Sequence, residues 1–404
     1  MDRLKKIASK YSLLAITFLV FVYNLLHILK LIAERGLSLC DFHARWQENA
    51  YLLHGIDPFR LSEANVINSI GYIQDNMITV PWAWLLGIFI NPGFLPYEIA
   101  KIWGFVVLII LFVICMYVVY QYADRKLNLD KTGRWTMVML LGSSLYWWFS
   151  IFNGNNGMIA ALIIIIAICI CDKHPVATGI LMTLAMIKPQ LAAVFYLVLL
   201  VQKRFLPIIV SAITGIVSVL TVSLMLKISP FVLVGETAAA SGVLNDTYIG
   251  IFDQLRYYGL SLNTALYMDI AAGCVFFGIC VYMLCKYKID ETLIWFTVPT
   301  VMQSFWFYKQ THDNIIICIL MMSFALIFYR TQQVRIRGGC LLCIILLITS
   351  FYLTNLVSAI GEAINTSFST EQLRSIYRTL EVSLFIIMEF VLLCLAGKFK
   401  VKDR

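Results

Sequence analysis

The feature that most constrains this chain is the recurrence of apolar stretches along its whole length, several of them near the roughly 20 residues that cross a bilayer as a helix. In lipid a helix satisfies its own backbone hydrogen bonds, whereas an open sheet leaves its edges unsatisfied. The 404 residues are 61% hydrophobic and 13% charged. Because no polar stretch is long enough for a soluble domain, we predict one all-α polytopic membrane domain over residues 1–404.

Basic residues predict which helix ends face the cytoplasm, since cytoplasmic loops carry an excess of Lys and Arg. If every basic cluster is cytoplasmic, an even number of crossings joins each cluster to the next. This requirement predicts about twelve crossings with both termini in the cytoplasm. The first crossing, about Tyr11–Ile32, is predicted to be a retained signal anchor. The clusters lie at residues 3–10, 125–134, 173, 203–204, 286–288, 330–337 and 398–404.

The even count also assigns the segments between crossings to a side of the membrane. The apolar run 78–90 is short and bracketed by Pro81 and Pro92, so we predict that it lies on, or dips into, the outer surface. The outer side then holds residues 33–98, with interfacial helices, and the turns at 152–157, 188–190 and 308–314. The predicted crossings are 11–32, 99–120, 135–151, 158–171, 176–187, 191–201, 206–226, 265–285, 293–307, 315–328, 340–356 and 380–396.

The first outer loop carries the most conspicuous carboxylate. If its start is helical, Asp41, Arg45 and Glu48 share one face, because residues three and four apart are neighbours on a helix. Trp46 contributes to an apolar face suited to the membrane interface, and Gly55 ends the helix. Two interpretations stay open: a catalytic carboxylate at the membrane surface, or an interfacial helix with solvated charges.

Two further outer turns carry polar side chains. Lys188 and Gln190 flank Pro189 between two short apolar runs, where a lysine is costly unless it meets water, an anion or a partner. This lysine could bind phosphate, or it could reach the interface as a snorkelling side chain. The Gly- and Asn-rich turn at 152–157 includes Asn155, whose amide could bind sugar hydroxyls, although a plain tight turn explains the same composition.

A third polar run, 309–314, lies between two predicted crossings on the same outer side. Its His312 could stabilise a leaving phosphate or move a proton, and Lys309 adds a cation. Alternatively, Thr311 or Asp313 caps the next helix. The sequence has no phosphate-binding or dinucleotide-binding glycine loop in a suitable context, which disfavours soluble nucleotides as substrates. His43, His54 and Glu48 could form a metal site, but their spacing matches no standard pattern, which disfavours a bound metal and leaves metal dependence open. We expect no cofactor.

The order of these motifs resembles glycosyltransferase family 87, the polyprenyl-phosphate-mannose-dependent mannosyltransferases of the membrane-embedded GT-C class. Two motifs depart from the family pattern: Val80-Pro81 replaces a Tyr-Pro-Pro run, and Gly154-Asn155-Asn156-Gly157 replaces a Gly-Gln-x-Asn turn. The motifs that carry the resemblance are Asp41 after the first apolar helix, Gly55-x-x-Pro58-Phe59, Pro81, the Gly154 turn, Lys188-Pro189 and His312.

The resemblance implies a GT-C-like bundle acting on the outer face of a membrane, expected to be a bacterial cell membrane. It implies an inverting α-mannosyltransferase that uses a polyprenyl-phosphate sugar donor and a glycolipid or glycan acceptor, with no nucleic acid involved. Asp41 would be the catalytic base, His312 an active-site residue and Lys188 a neighbour of the donor phosphate. Arg45, Lys309, Gln190 and Asn155 are further candidates for substrate contact. Two alternatives stay open, both in an envelope polysaccharide pathway: a transporter or flippase, and a polymerase.

Overall fold

The computed structural model describes residues 2–57, 80–243, 250–305, 311–352 and 370–402, and these residues form helices joined by turns, with no strand. Contacts divide the chain into two compact units. The terminal unit contains Met1–His27, Met116–Trp148 and Tyr248–Arg404, and the central unit contains Ile28–Cys115 and Phe149–Thr247. Asp41, Asn155 and Lys188 fall in the central unit, and His312 falls in the terminal unit.

The helices vary widely in length. A 3₁₀ helix, Thr311–Ile317, directly precedes α17. The α-helices in chain order are α1 Asp2–Arg35, α2 Cys40–Leu53, α3 Pro81–Gly87, α4 Tyr97–Arg125, α5 Lys131–Leu141, α6 Leu145–Asn153, α7 Asn156–Ile170, α8 Pro175–Ala185, α9 Pro189–Ala192, α10 Phe195–Val201, α11 Phe205–Leu226, α12 Pro230–Val243, α13 Ile251–Tyr257, α14 Leu262–Lys286, α15 Thr292–Trp295, α16 Thr297–Met302, α17 Cys318–Arg330, α18 Val334–Ser350 and α19 Thr370–Lys402.

Six helical segments of the described chain are long and apolar enough to cross a membrane, which makes this a multi-pass membrane protein. A seventh crossing is possible if α5 and α6, bent by 48° at their junction, act as one span. The other predicted crossings are shorter helices, so the predicted count of twelve is not confirmed. Prolines occupy the first position of α8 and α9, close to where the sequence predicts that new segments begin. The six segments are 11–35, 97–125, 205–226, 262–286, 313–330 and 376–398.

In the central unit, α2 is held by its apolar face. Phe42 and Trp46 form a buried cluster with Leu39 and Ala100, and the indole Nε1 of Trp46 donates to the carbonyl of Leu95 at 2.9 Å. This face therefore packs against protein. Burial extends to Gln47, Glu48 and Asn49, which does not fit a helix whose charges are all solvated. The position of α2 at a membrane interface stays a prediction.

Helix α3 lies against α11 in the same unit. The hydroxyl of Ser218 donates to the carbonyl of Pro81 at 2.6 Å and accepts from the backbone amide of Leu85 at 3.0 Å. Trp84 packs with Leu52, Val222 and Leu233 in a second apolar cluster. The proline-led helix predicted near Pro81 is confirmed, whereas its position at a membrane surface stays a prediction.

The terminal unit buries two carboxylates on the long helix α19. The Oε1 atom of Glu381 accepts from the amide of Asn314 at 2.6 Å and from the hydroxyl of Tyr377 at 2.9 Å. Glu389 accepts from the hydroxyl of Thr297 at 2.8 Å. Buried carboxylates are costly in a membrane helix and are retained where they meet polar partners, so these contacts fix α19 against its neighbours in this unit.

Candidate functional site

Three residues that are distant in sequence meet in the central unit. The Nδ2 of Asn155 donates to Oδ2 of Asp41 at 2.5 Å, and the Nζ of Lys188 donates to Oδ1 of Asn155 at 3.3 Å. Asp41 is half-buried, while Asn155 and Lys188 are each 7% exposed. A carboxylate and a cation are thus joined through one amide. We call Asp41, Asn155 and Lys188 the polar triad.

The turn before α7 places Asn155 in the triad. Asn155 is the N-cap of α7, and its Oδ1 also accepts from the backbone amide of Gly157 at 2.6 Å. Gly154 has φ +67°, and a Cβ added there would lie 2.7 Å from the Cβ of Phe42 on α2. Glycine is therefore required both for the backbone conformation and for the close approach to α2. The tight turn predicted at 152–157 is found at 154–155, between α6 and α7, and it also carries a side chain of the site.

The proline that follows Lys188 starts α9. Lys188 lies buried beside the start of this helix, and Gln190, also 7% exposed, lies within it. A snorkelling lysine extends its ammonium group to water at the interface. The burial of Lys188 and its bond to Asn155 contradict that alternative and favour a lysine that meets an anion or a polar partner.

Arg45 and Glu48 form an ion pair on α2. Arg45 lies one helical turn beyond Asp41, and Glu48 lies two turns beyond it. The Nη1 of Arg45 donates to both carboxylate oxygens of Glu48, at 2.7 and 2.8 Å. Glu48 is 5% exposed, so the pair neutralises a buried charge. The shared helical face of Asp41, Arg45 and Glu48 was correctly anticipated, but the charge of Arg45 is compensated within the protein. A direct contact of Arg45 with a substrate phosphate stays a prediction.

His43 adds a titratable ring on the same helix. It stacks against Trp46 with ring centroids 5.9 Å apart and meets Tyr97 edge-on at 4.4 Å. Burial lowers the pKa of His43 below its usual value, which favours the neutral ring. His43 therefore contributes packing beside the triad and no fixed positive charge.

The residues predicted near His312 are only partly described. Lys309 and the Pro58-Phe59 end of a motif lie outside the described residues, as does the side chain of His312. The backbone of His312 belongs to the 3₁₀ helix that also carries Asp313 and Asn314, both fully buried. The N-cap of α17, Ile317, makes no side-chain capping bond, and capping by Thr311 or Asp313 stays a prediction. The catalytic role of His312 and its proximity to Asp41 stay predictions.

A small polar cavity lies beside the triad, and sequence reasoning overlooked its main residues. It measures about 20 Å³ and is lined by Arg45, Glu48, Asn49, Val80, Ala83, Trp84, Gly87, Asn91, Asn156 and Ile187. Asn156 follows Asn155 directly, so the run of asparagines in the turn was a signal for it. Asn91 follows a hydrophobic run and precedes a proline, and nothing in the sequence distinguishes it from an ordinary turn residue.

A second, much larger groove of about 900 Å³ runs along the other side of α3. Trp82 and Met186 line it, and α11 and α12 supply most of the remaining wall. Its few polar groups satisfy one another: the hydroxyl of Ser211 accepts from Thr183 at 2.9 Å and pairs with Tyr196 at 2.5 Å. The groove is therefore suited to an apolar chain.

The arrangement combines the groups needed for transfer to a hydroxyl. A half-buried carboxylate oriented by an amide can accept a proton from an attacking hydroxyl. A buried ammonium group can stabilise negative charge that develops on a leaving group. The described residues hold no group of three or more His, Cys, Asp or Glu side chains placed to bind a metal ion.

Comparison with known proteins identifies one relationship. The model of glycosyltransferase family 87 matches residues 81–242. The match confirms the resemblance seen in the sequence, is consistent with the GT-C class and implies a glycosyltransferase. It includes Asn155 and Lys188, whereas Asp41 and His312 lie outside the matched residues. No curated protein and no solved structure matches the chain.

Proposed function

We propose that this protein transfers a hexose from a polyprenyl-phosphate donor to a hydroxyl group of a glycolipid or glycan acceptor. The observation that carries the proposal is the polar triad, in which the amide of Asn155 joins Asp41 at 2.5 Å to Lys188 at 3.3 Å. The family 87 match supplies the reaction class. A proton acceptor and a cation within one connected cluster are the two groups that this reaction requires.

In the proposed reaction, Asp41 takes the proton from the acceptor hydroxyl as its oxygen attacks the anomeric carbon. The bond from that carbon to the donor phosphate oxygen breaks, and the phosphate leaves with the electron pair. Lys188 stabilises the resulting charge, and Asn155 holds the Asp41 carboxylate in position. A single displacement inverts the anomeric centre, so a β-linked donor gives an α-glycoside. A carboxylate acting as base is worth roughly 10²- to 10⁴-fold in rate.

The donor class is supported by the two cavities around α3. Trp82 faces the apolar groove, while its neighbours Ala83 and Trp84 face the polar cavity. Immediately before Lys188, Met186 lines the apolar groove and Ile187 lines the polar cavity. A molecule with a long apolar chain and a polar head matches this division. Mannose as the transferred sugar is an expectation from the family resemblance.

The topological part of the proposal follows from the distribution of basic residues. Both termini lie in the cytoplasm, about twelve segments cross or enter the membrane, and the triad works on the outer side of a bacterial cell membrane. Labelling of single introduced cysteines from each side of the membrane tests this arrangement. Labelling from the cytoplasmic side only, at positions flanking Asp41, would reject it.

The central experiment is a transfer assay with purified protein, a panel of polyprenyl-phosphate sugars and mass spectrometry of the products. Asp41→Asn is expected to abolish transfer while the protein stays folded. Asp172→Asn is the matched control, because Asp172 is a carboxylate of the same unit that pairs with Arg204 at 2.6 Å and has no proposed catalytic role. Full transfer by Asp41→Asn would reject Asp41 as the base.

The same assay separates the alternatives. Movement of the lipid-linked substrate across liposomes without a covalent product would favour a flippase. Transfer from diphosphate-linked but not from monophosphate-linked sugars would favour a polymerase. Either result would overturn the proposed donor chemistry.

A further inference from the structure

The polar cavity beside the triad contains an unusual concentration of unsatisfied polar atoms. Both amide atoms of Asn156, the Oδ1 of Asn91 and the Nε1 of Trp84 have no hydrogen-bond partner among the described residues. The three side chains are 7%, 1% and 8% exposed, respectively. Buried polar groups are nearly always hydrogen-bonded, because leaving one unsatisfied is costly. Two unsatisfied donors and two unsatisfied acceptors on residues that line one cavity therefore point to a ligand.

The other polar side chains of the cavity already have partners. Arg45 pairs with Glu48, and the amide of Asn49 donates to the backbone carbonyl of Asn91 at 2.7 Å. Glu48 and the free acceptors disfavour an anion, while Arg45 and the free donors disfavour a cation. A hydroxyl group both donates and accepts, and it therefore matches the four unsatisfied atoms.

The size of the cavity limits the ligand to one such group. Its volume of about 20 Å³ is close to the ~10–15 Å³ that one water molecule requires. A whole sugar ring does not fit, but one hydroxyl group projecting from a ring does. The cavity can therefore read a single position of a larger molecule that binds beside it.

The cavity shares three chain segments with the triad, and α3 and Asn91 complete its wall. Asn156 follows Asn155, Ile187 precedes Lys188, and Arg45 lies one turn after Asp41 on α2. A hydroxyl group in the cavity would thus belong to a molecule held at the triad. Because Asn156 has two unsatisfied atoms, it can both donate to and accept from that hydroxyl.

We propose that this cavity binds one hydroxyl group of the transferred sugar, and that Asn156 determines which sugar is accepted. This inference rests on the proposed function and goes beyond it by naming the residues that select the donor. A sugar that lacks this hydroxyl leaves the cavity atoms unsatisfied. A site built to bond a hydroxyl discriminates strongly against the analogue without it.

The test measures kcat/KM for the best polyprenyl-phosphate hexose and for its monodeoxy analogues, each lacking one ring or hydroxymethyl hydroxyl. In the wild-type protein one analogue is expected to lose about 10- to 100-fold relative to the parent donor. In Asn156→Ala the parent donor should fall to the level of that analogue, and the analogue itself should change little. The effects of the side chain and of the hydroxyl are then coupled.

Asn24→Ala is the matched control in the terminal unit. Asn24 is also a fully buried asparagine, but its amide donates to the carbonyls of Gly142 and Ser143. Its loss should affect all donors by the same factor. An equal effect of Asn156→Ala on every donor would mean that the cavity holds a buried water only, and would overturn the inference. If the wild-type protein transfers from the parent donor, the proposed function survives that result. If it transfers from no polyprenyl-phosphate sugar, both fail.

Discussion

Replacing Asn155 by Asp separates the structural role of this residue from its role in orienting Asp41. The introduced carboxylate keeps an oxygen that can accept from the amide of Gly157 and from Lys188, which Asn155 contacts at 2.6 and 3.3 Å. It loses the amino group that donates to Asp41 at 2.5 Å. Asp is as good an N-cap as Asn, so the variant should keep the cap of α7 while it changes the environment of Asp41.

The size of the expected effect on Asp41 follows from its close contact with residue 155. Two carboxylates about 4 Å apart repel by about 4 kcal/mol at an effective dielectric constant near 20, which corresponds to about three pH units. The ammonium group of Lys188 offsets part of this repulsion. We therefore expect the acidic limb of the pH profile of transfer to move toward higher pH by at least about one unit. The pair of carboxylates then holds a proton up to a higher pH than a single carboxylate does, so Asp41 is a poorer base at the acidic end of the pH profile. The rate of transfer should fall and should recover as the pH rises.

Asn155→Ala serves as the complement to this variant. It removes both the N-cap and the bond to Asp41, so it should cost about 1 kcal/mol in stability. It should also lower the transfer rate by about 10- to 150-fold, the value of a hydrogen bond to a charged group. The pH profile of transfer should not move toward higher pH in this variant, since no second carboxylate is introduced.

The assay is the initial rate of sugar transfer between pH 5 and 9 in detergent, together with the thermal unfolding midpoint of each variant. Asp130→Ala is the control for lost capping, because Asp130 is the N-cap of α5 and accepts from Gly133 at 2.9 Å. That variant should lose stability without a change in the pH profile of transfer. A wild-type rate and pH profile in Asn155→Asp would refute the assignment of Asn155 as the residue that orients Asp41.

Three further predictions concern stability, each followed by thermal unfolding in detergent. Gly154→Ala should destabilise the protein and lower transfer. Gly36 also has a positive φ, +72°, but open space surrounds it, so Gly36→Ala should cost only the roughly 1–2 kcal/mol of left-handed backbone strain. Equal losses of stability in the two variants would argue against close packing at Gly154. Burial raises the pKa of Asp253 to about 6, so the folded state holds a proton that the unfolded state releases. Stability should therefore decrease by up to about 3 kcal/mol as the pH rises from 4 to 6. Asp253→Asn should remove this pH dependence, and an unchanged slope of stability against pH in that variant would contradict the prediction. Glu381→Gln should be mild because an acceptor for Asn314 remains, while Glu381→Ala should cost about 2–5 kcal/mol; similar midpoints for both would show that the bond contributes little.

The membrane class and the longest helices could be predicted from the sequence alone. An apolar run of the required length has one stable solution in lipid, so the segments at 11–35, 97–125 and 205–226 were foreseeable. Short-range signals were equally reliable: Pro189 begins α9, and Gly55, with φ +70°, follows the end of α2. These features depend on neighbouring residues only.

The number of crossings was less accessible to sequence reasoning. The segments at 156–170, 175–185 and 189–201 are apolar but too short to cross a membrane by length alone. Hydropathy does not distinguish a short crossing from a helix buried among other helices. In this chain α7 is almost entirely buried within the protein, which explains its uniform apolarity without contact to lipid.

The sequence by itself determined the candidate groups, namely a carboxylate after the first helix, an asparagine-rich turn and a lysine before a proline. Only the tertiary structure decided that Asp41, Asn155 and Lys188 form one hydrogen-bonded cluster, because 114 residues separate the first pair and 33 the second. It also decided that Lys188 is buried and that Asn156 lines a cavity together with other unsatisfied polar groups. Such contacts depend on how helices pack, and helix packing is set by side chains from the whole unit that no local pattern in the sequence records.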